Sequence, residues 1–275
     1  MKKKINLNKR FLDLKRLKQP LSMITCYDYP SAQIVEKVGL DSVLVGDSLG
    51  TNVLGYKTEK DVTIADMIHH TKAVSRGLTN VGLVADLPYG TYQNLQDLVH
   101  HAILLDQAGA DAIKFEGFFP DFVKCLCDHN MTVVCHLGLL PQTHEKKYIQ
   151  ANSYDSAARL IQNSKQLEQM GASMLILELV PEEIACLVSQ SLTIPVVGIA
   201  AGRFCDGQVQ IWHDVLGLND KLYKHISNLE NLNSILIEAL RNYRKKIKTQ
   251  TLLTYKQSFH VDHTMLEDLR KTFNL

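Results

Sequence analysis

The sequence predicts a closed (β/α)₈ barrel, an α/β fold, and three observations carry that prediction. The chain has 275 residues, a common length for this fold. Short apolar runs of β type alternate with segments of helical period along the chain, with no linker-like gap between them. The runs are almost continuously hydrophobic, as in SVLVG at 42–46 and IPVVGIA at 194–200, which suits parallel strands covered on both faces. An open doubly wound sheet is the competing arrangement of the same elements.

In order, the predicted strands are Ser22–Cys26, Ser42–Gly46, Val81–Ala85, Ala112–Phe115, Thr132–His136, Met174–Glu178, Ile194–Ile199 and, as the weakest run, Gln208–Trp212. Helices are predicted at Ser31–Val38, Ile64–Arg76, Leu95–Ala108, Phe119–His129, Ser156–Met170 and Glu182–Gln190. Gly39, Gly77, Gly109 and Gly171 fit left-handed helix stops. The units Val-Gly-Leu-Asp at 38–41 and Ala-Gly-Ala-Asp at 108–111 repeat one stop-then-strand pattern, echoed by Met-Gly-Ala-Ser at 170–173. Residues 5–18 are expected to form a helix that closes the barrel floor. The barrel is expected over about 20–218 and a helical tail over about 221–275, the whole chain forming a single domain. Within the tail, 221–247 reads as one long helix with Ile226, Leu229, Leu232, Ile235, Leu236 and Leu240 on or near one stripe, either core or subunit interface. His260 and His263, further on, read as surface residues.

Composition narrows the function. A hydrophobic content of 45%, a charged content of 21% and a net charge of +1 describe an ordinary globular protein, with no electrostatic reason to expect nucleic acid as a partner. No stretch approaches the roughly 18 apolar residues of a membrane span, and the N-terminus has no apolar core of signal-peptide length. The six cysteines lack the paired spacings of a zinc site and read as reduced thiols in a cytoplasmic protein.

Chemistry collects at the strand ends. In a (β/α)₈ barrel the C-terminal ends of the strands converge on one mouth. The second strand ends in Asp47-Ser48, the third in Asp86, the fourth in Lys114-Phe115-Glu116, the fifth in His136, the sixth in Glu178 and the eighth in His213-Asp214. A single Asp after a strand is more often a helix cap than a ligand. Carboxylates, a lysine and a histidine on five successive strands are different: so much buried charge is costly without a cation, and a bound metal is the simplest explanation. Carboxylate oxygens without paired Cys or clustered His favour a hard ion such as Mg²⁺. Asp47 and Asp86 are the candidate direct ligands. Lys114 and Glu116, at i and i+2, share a face of their strand, so Lys114 can neutralise a substrate carboxylate while Glu116 reaches the metal directly or through a water. Glu178, flanked by Leu177 and Leu179, is placed to act as a partly desolvated base. The residues thus point to proton abstraction beside a metal-polarised carbonyl.

The same residues carry a family resemblance. TCYDYPSAQIVEKVGLDSVLVGDSLG at 25–50, DLPYGTYQ at 86–93, AGADAIKFEG at 108–117, CHLGLLPQ at 135–142, LELVP at 177–181 and the GIAAG…DGQV…HD stretch at 198–214 resemble ketopantoate hydroxymethyltransferases, in unbroken order. The resemblance implies a barrel enzyme that uses one Mg²⁺ per subunit and 5,10-methylenetetrahydrofolate to hydroxymethylate 3-methyl-2-oxobutanoate through a Mg-stabilised enolate, on the way to pantothenate and coenzyme A. It implies metal ligation by Asp47 and Asp86 with Glu116 in support, substrate contacts from Asp47, Ser48, Asp86, Lys114 and His136, Glu178 as the acid/base, and a decameric homo-oligomer. The chain departs from the family after Pro141-Gln142, where THEKKYIQAN replaces a longer loop with a Gly-Gly pair. Cys135 and Ala200 also stand where the family has glycine. The expectation is that keto-acid binding is retained and folate use weakened. Rival readings are a metal-dependent keto-acid aldolase or lyase, which would need no folate, and a barrel that binds keto acids without turnover.

Overall fold

The computed structural model describes residues 3–144, 148–219 and 223–275. Eight parallel strands, each bonded to its sequence neighbour, close into a barrel as β8 pairs with β1, which excludes the open-sheet alternative. The strands are β1 (Leu21–Thr25), β2 (Ser42–Val45), β3 (Gly82–Asp86), β4 (Ala112–Glu116), β5 (Val133–Gly138), β6 (Met174–Glu178), β7 (Val196–Ile199) and β8 (Gly207–Gln210). Helices α1 (Leu7–Arg16), α2 (Tyr29–Val38), α3 (Ile64–Gly77), α4 (Leu95–Ala108), α5 (Pro120–Asp128), α6 (Tyr154–Gln169), α7 (Glu182–Ser191) and the short α8 (Trp212–Val215) accompany the barrel, and α9 (Leu232–Lys248) and α10 (His263–Phe273) form the tail.

Side-chain alternation divides the core in two. Val43, Leu83, Ile113, Phe115, Val133, Cys135, Leu175 and Leu177 face the surrounding helices, whereas Met23, Leu44, Val84, Val134, Met174, Ile176 and Val197 fill the interior. The interior cluster is closed from below by Leu7 and Phe11 of α1, both fully buried, as expected for residues 5–18. Gly82 makes room for this plug, since a Cβ there would lie 2.2 Å from the Leu7 side chain. The repeated Gly-x-Asp units also acquire a physical reason. Asp41 accepts the backbone N–H of Ser22, and Asp111 that of Leu83, so each Asp ties the start of its strand to the preceding one.

Three expectations are corrected. Gly77 is the last residue of α3 and has no left-handed backbone; glycine is required there because a Cβ would lie 2.7 Å from Ala32 and 2.9 Å from the Tyr29 carbonyl. Gly39, Gly109 and Gly171 do take positive φ. The eighth strand ends at Gln210, because Trp212 donates its N–H to Thr25 Oγ1 and opens α8; His213 and Asp214 therefore sit on that helix. The long tail helix begins only at Leu232, where Asn231 caps it by accepting from the Ser234 N–H. Leu229, Leu232 and Asn233 instead donate their N–H groups to Val215, Leu216 and Gly217, and 220–222 lie outside the described residues. Asn and Ser at 227–231 favour such local bonding over helix. Neither α9 nor α10 buries a residue, and the stripe on α9 is open to solvent, Leu240 at 65% exposure. The stripe is therefore not core within this chain.

Candidate active site

The mouth of the barrel is built by strand register. Asp86 pairs with Lys114 across β3 and β4, Glu116 with His136 across β4 and β5, and Gly138 with Glu178 across β5 and β6. The side chains of Asp86, Lys114, Glu116, His136 and Glu178 all line the cavity at this end of the barrel. Asp47 and Ser48 follow β2 on a tight turn in which Gly50 N–H donates to the Asp47 carbonyl. Asp47, Ser48, Asp86, Lys114, Glu116, His136 and Glu178 all line one cavity of about 90 Å³. Every residue singled out for chemistry except His213 and Asp214 thus meets at one place. His213 packs its ring against Tyr27, and Asp214 accepts from Asn219.

The electrostatics are dominated by burial. Lys114 Nζ lies 2.7 Å from Asp86 Oδ1, both side chains almost wholly buried. Burial raises the Asp47 carboxyl well above its ordinary range, and the charges of Asp86 and Glu116 push it further up. Asp86 is also raised by burial, against the opposing pull of Lys114. Burial disfavours the Lys114 ammonium, but Asp86, Glu116 and Asp47 outweigh it and hold the lysine charged. Burial works against the Glu116 carboxylate too, yet the His136 ring, Lys114 and the Gln142 N–H together keep it below the usual range. The His136 ring is wedged between two carboxylates, Nδ1 3.4 Å from Glu116 and Nε2 3.5 Å from Glu178. Leu179, directly after Glu178, takes φ +53. A left-handed leucine costs about 1–2 kcal/mol, and it is held there by N–H donation to Ile199 O at 3.1 Å and by the Gln150 N–H on its own carbonyl at 2.9 Å. Backbone strain of this kind concentrates at functional sites.

The donor set suits a hard cation. Three buried carboxylates face one lysine, so negative charge is in excess and a divalent ion would offset it. Among the described residues no three His, Cys, Asp or Glu side chains converge tightly enough to cage a metal unaided. Mg²⁺ commonly uses one or two protein carboxylates and takes its other oxygens from substrate and water, and Asp47 and Asp86 offer such a pair on the cavity wall.

Sequence reasoning did not find every contributor. Gln142, Tyr92, Tyr27 and Glu59 surround the same chemistry: Gln142 bonds Asp47, Tyr92 bonds Gln142, Tyr27 bonds Ser48 Oγ at 2.9 Å, and Glu59 reaches the cavity from the connection between β2 and α3. Gln142 stands within a family motif, but an uncharged amide after a strand gives no chemical signal by itself. Of the departing loop, 145–147 lies outside the described residues, and Tyr148 and Ile149 are exposed.

A closed parallel barrel with this mouth defines an enzyme acting on a small molecule. The family model described as ketopantoate hydroxymethyltransferase matches residues 6–252, and the chain belongs to that family. It is 41% identical to 3-methyl-2-oxobutanoate hydroxymethyltransferase of Halalkalibacterium halodurans over 94% of this chain and 96% of that one. The enzyme of the same name from Bacillus subtilis is 38% identical, with the same coverage of both chains. Among solved structures, phosphonopyruvate hydrolase in complex with oxalate and Mg²⁺ superposes with a TM-score of 0.62 at 10% identity, covering 98% of each chain. A 2,3-dimethylmalate lyase of the PEP mutase/isocitrate lyase superfamily gives 0.57 at 15% identity, covering 97% of this chain and 99% of the other. These two likenesses establish the fold.

Proposed function

We propose that this chain transfers a hydroxymethyl group from 5,10-methylenetetrahydrofolate to 3-methyl-2-oxobutanoate, giving 2-dehydropantoate for pantothenate and coenzyme A synthesis. The observation that carries the reading is the convergence of Asp47, Ser48, Asp86, Lys114, Glu116, His136 and Glu178 on one small cavity. Asp47 and Asp86 would hold Mg²⁺. Glu116 supports it from behind, because its two oxygens already meet His136 and the Gln142 N–H. When bound, the ion supplies Lewis-acid stabilisation of negative charge on the keto oxygen.

The protein's own groups do the rest. Lys114, kept charged by its acidic neighbours, can neutralise the substrate carboxylate, and Ser48 can donate to it. Glu178, on the opposite side of the mouth, takes the proton from C3 of the keto acid. C3 then bonds to the one-carbon unit of the folate, both carbon–nitrogen bonds of that unit (to N5 and N10) break, water supplies the hydroxyl oxygen, and tetrahydrofolate leaves carrying one proton from C3 and one from water. His136, beside Glu178, holds that carboxylate in place. A cavity of about 90 Å³ suits a small acid, so the much larger folate would bind outside it. The altered segment supports a weakened folate step with keto-acid handling retained.

The relatives' names support the keto acid as substrate, and the oxalate and Mg²⁺ of the hydrolase complex support a small chelating acid on this fold. The exposed apolar stripe on α9 supports a homo-oligomer, which the family makes a decamer. A coupled assay with keto acid, folate donor and Mg²⁺ tests the proposal. Product formation that requires both folate and metal is expected; turnover of the keto acid without folate would favour a lyase instead.

A further inference from the structure

We infer that Gln142 is a positioning residue, one that fixes the carboxylate of Asp47 for metal binding and fastens the segment after β5 to the acidic cluster. The inference rests on the reading of Asp47 and Asp86 as the metal site. Gln142 is fully buried, at 0% exposure. Its Nε2 donates to Asp47 Oδ2 at 2.7 Å and to the Leu87 carbonyl at 3.0 Å. Its Oε1 accepts from the Tyr92 hydroxyl, and its backbone N–H donates to Glu116 Oε2 at 3.0 Å. One residue thus ties together the ends of β2, β3 and β4 and the connection leaving β5.

The chemistry leaves little freedom in this arrangement. An ionised carboxylate and a backbone carbonyl both accept only, so the amide must turn its nitrogen toward Asp47 and Leu87, and its oxygen is left for Tyr92. With Oδ2 of Asp47 held, Oδ1 is the oxygen without a donor among the described residues, and Asp47 lines the cavity. The bonded amide also helps to lower the raised proton affinity of Asp47. A residue needed only to fill space here would be apolar, because burying an amide is costly unless every group is bonded. Groups that orient metal ligands in this way typically matter about 10- to 100-fold in affinity.

The test is a Mn²⁺ titration followed by electron paramagnetic resonance of the free ion, with saturating 3-methyl-2-oxobutanoate, on wild type, Gln142→Met, Tyr92→Phe and Asp47→Asn. Thermal melts of the same samples report folding. Gln142→Met keeps the length and loses both donors, so Mn²⁺ affinity should fall about 10- to 100-fold in protein that still melts cooperatively. Tyr92→Phe keeps the bond to Asp47 and removes only the group that anchors the amide oxygen, so a smaller loss is expected. Wild-type affinity in Gln142→Met overturns the positioning role and marks the residue as a structural tie; should that variant fail to fold, wild-type affinity in Tyr92→Phe overturns it. Asp47→Asn separates the two claims. Equal Mn²⁺ binding by wild type and Asp47→Asn would defeat the metal reading itself, and the positioning role with it. A loss confined to Asp47→Asn would defeat the positioning role alone.

Discussion

Asp47→Asn should stabilise the metal-free protein while abolishing activity. The Asp47 carboxyl is buried beside Asp86 and Glu116 and shares a single lysine with them, so its proton affinity is raised. The folded state therefore binds a proton at Asp47 more tightly than the unfolded state does. The resulting destabilisation is absent at low pH, begins as pH rises past the unfolded value of about 3.9, and grows until the folded value is passed. Two like charges about 4 Å apart repel by about 4 kcal/mol at an effective dielectric of 20. Lys114 offsets much of this, which leaves on the order of 1–2 kcal/mol for the carbonyl-for-carboxylate exchange to recover. Asparagine is nearly isosteric, and its oxygen can still accept from Gln142. At about 2–4 °C per kcal/mol for a chain of this size, the variant should melt about 2–8 °C above wild type in EDTA at neutral pH. The gap should close as pH approaches 4. Adding Mg²⁺ and keto acid should raise wild type by about 2.7 kcal/mol at a hundredfold excess over Kd and leave the variant unmoved, narrowing or reversing the order. Calorimetry reads all three arms. A variant that melts below wild type in EDTA would show that Asp47 contributes to folding through its charge, which refutes the argument.

Other perturbations give separate readings. Lys114→Ala should chiefly raise KM for the keto acid, with some loss of kcat from misplacement, in steady-state kinetics; an unchanged KM would remove Lys114 from substrate binding. Ala200 has φ +52. Relief of a left-handed alanine, about 1–2 kcal/mol, exceeds the unfolded-state entropy that glycine adds, about 0.4–1 kcal/mol, so Ala200→Gly should raise the unfolding free energy read from denaturant melts by a net ~0.5–1 kcal/mol. Glu36 is partly buried, yet the N–H groups of Thr79, Val81 and Asn80 hold its carboxylate below the usual range. That stabilisation is present above its unfolded value of about 4.3 and is lost as pH falls through the lower folded value. Glu36→Gln should therefore cost ~1–2 kcal/mol at pH 7 and little at pH 3, read from urea melts.

Much of this architecture was legible in the sequence because barrel strands and their ends carry local signals. Continuous apolar runs marked the strands, and Asp47, Asp86, Lys114, Glu116, His136 and Glu178 were visible as charges where apolar patterning stopped. Charge at a strand end is rare enough to stand out. Gln142 and Tyr92 were not visible as functional, since their importance lies in partners 50 and 95 residues distant in sequence. Gly77 misled because helix-terminal glycine usually signals a left-handed stop, whereas here the constraint is contact with α2, which only tertiary packing creates. The apolar stripe suggests a longer tail helix because it continues through Ile226 and Leu229, but the Ile226 N–H turns back to the Tyr223 carbonyl and the Leu229 N–H goes to Val215 of α8, outside any helical ladder.

In the proposed reaction Glu178 removes the C3 proton of a chelated keto acid. The most direct measurement is deuterium incorporation at C3 of 3-methyl-2-oxobutanoate in D₂O with Mg²⁺ and no folate, followed by proton magnetic resonance for wild type and Glu178→Gln. The glutamine keeps the shape and cannot accept a proton, so its exchange should fall by about 10²–10⁴-fold toward the uncatalysed rate, while wild type exchanges readily and stops when metal is chelated. Wild-type exchange rates in Glu178→Gln, or exchange that survives exhaustive chelation, would contradict the account.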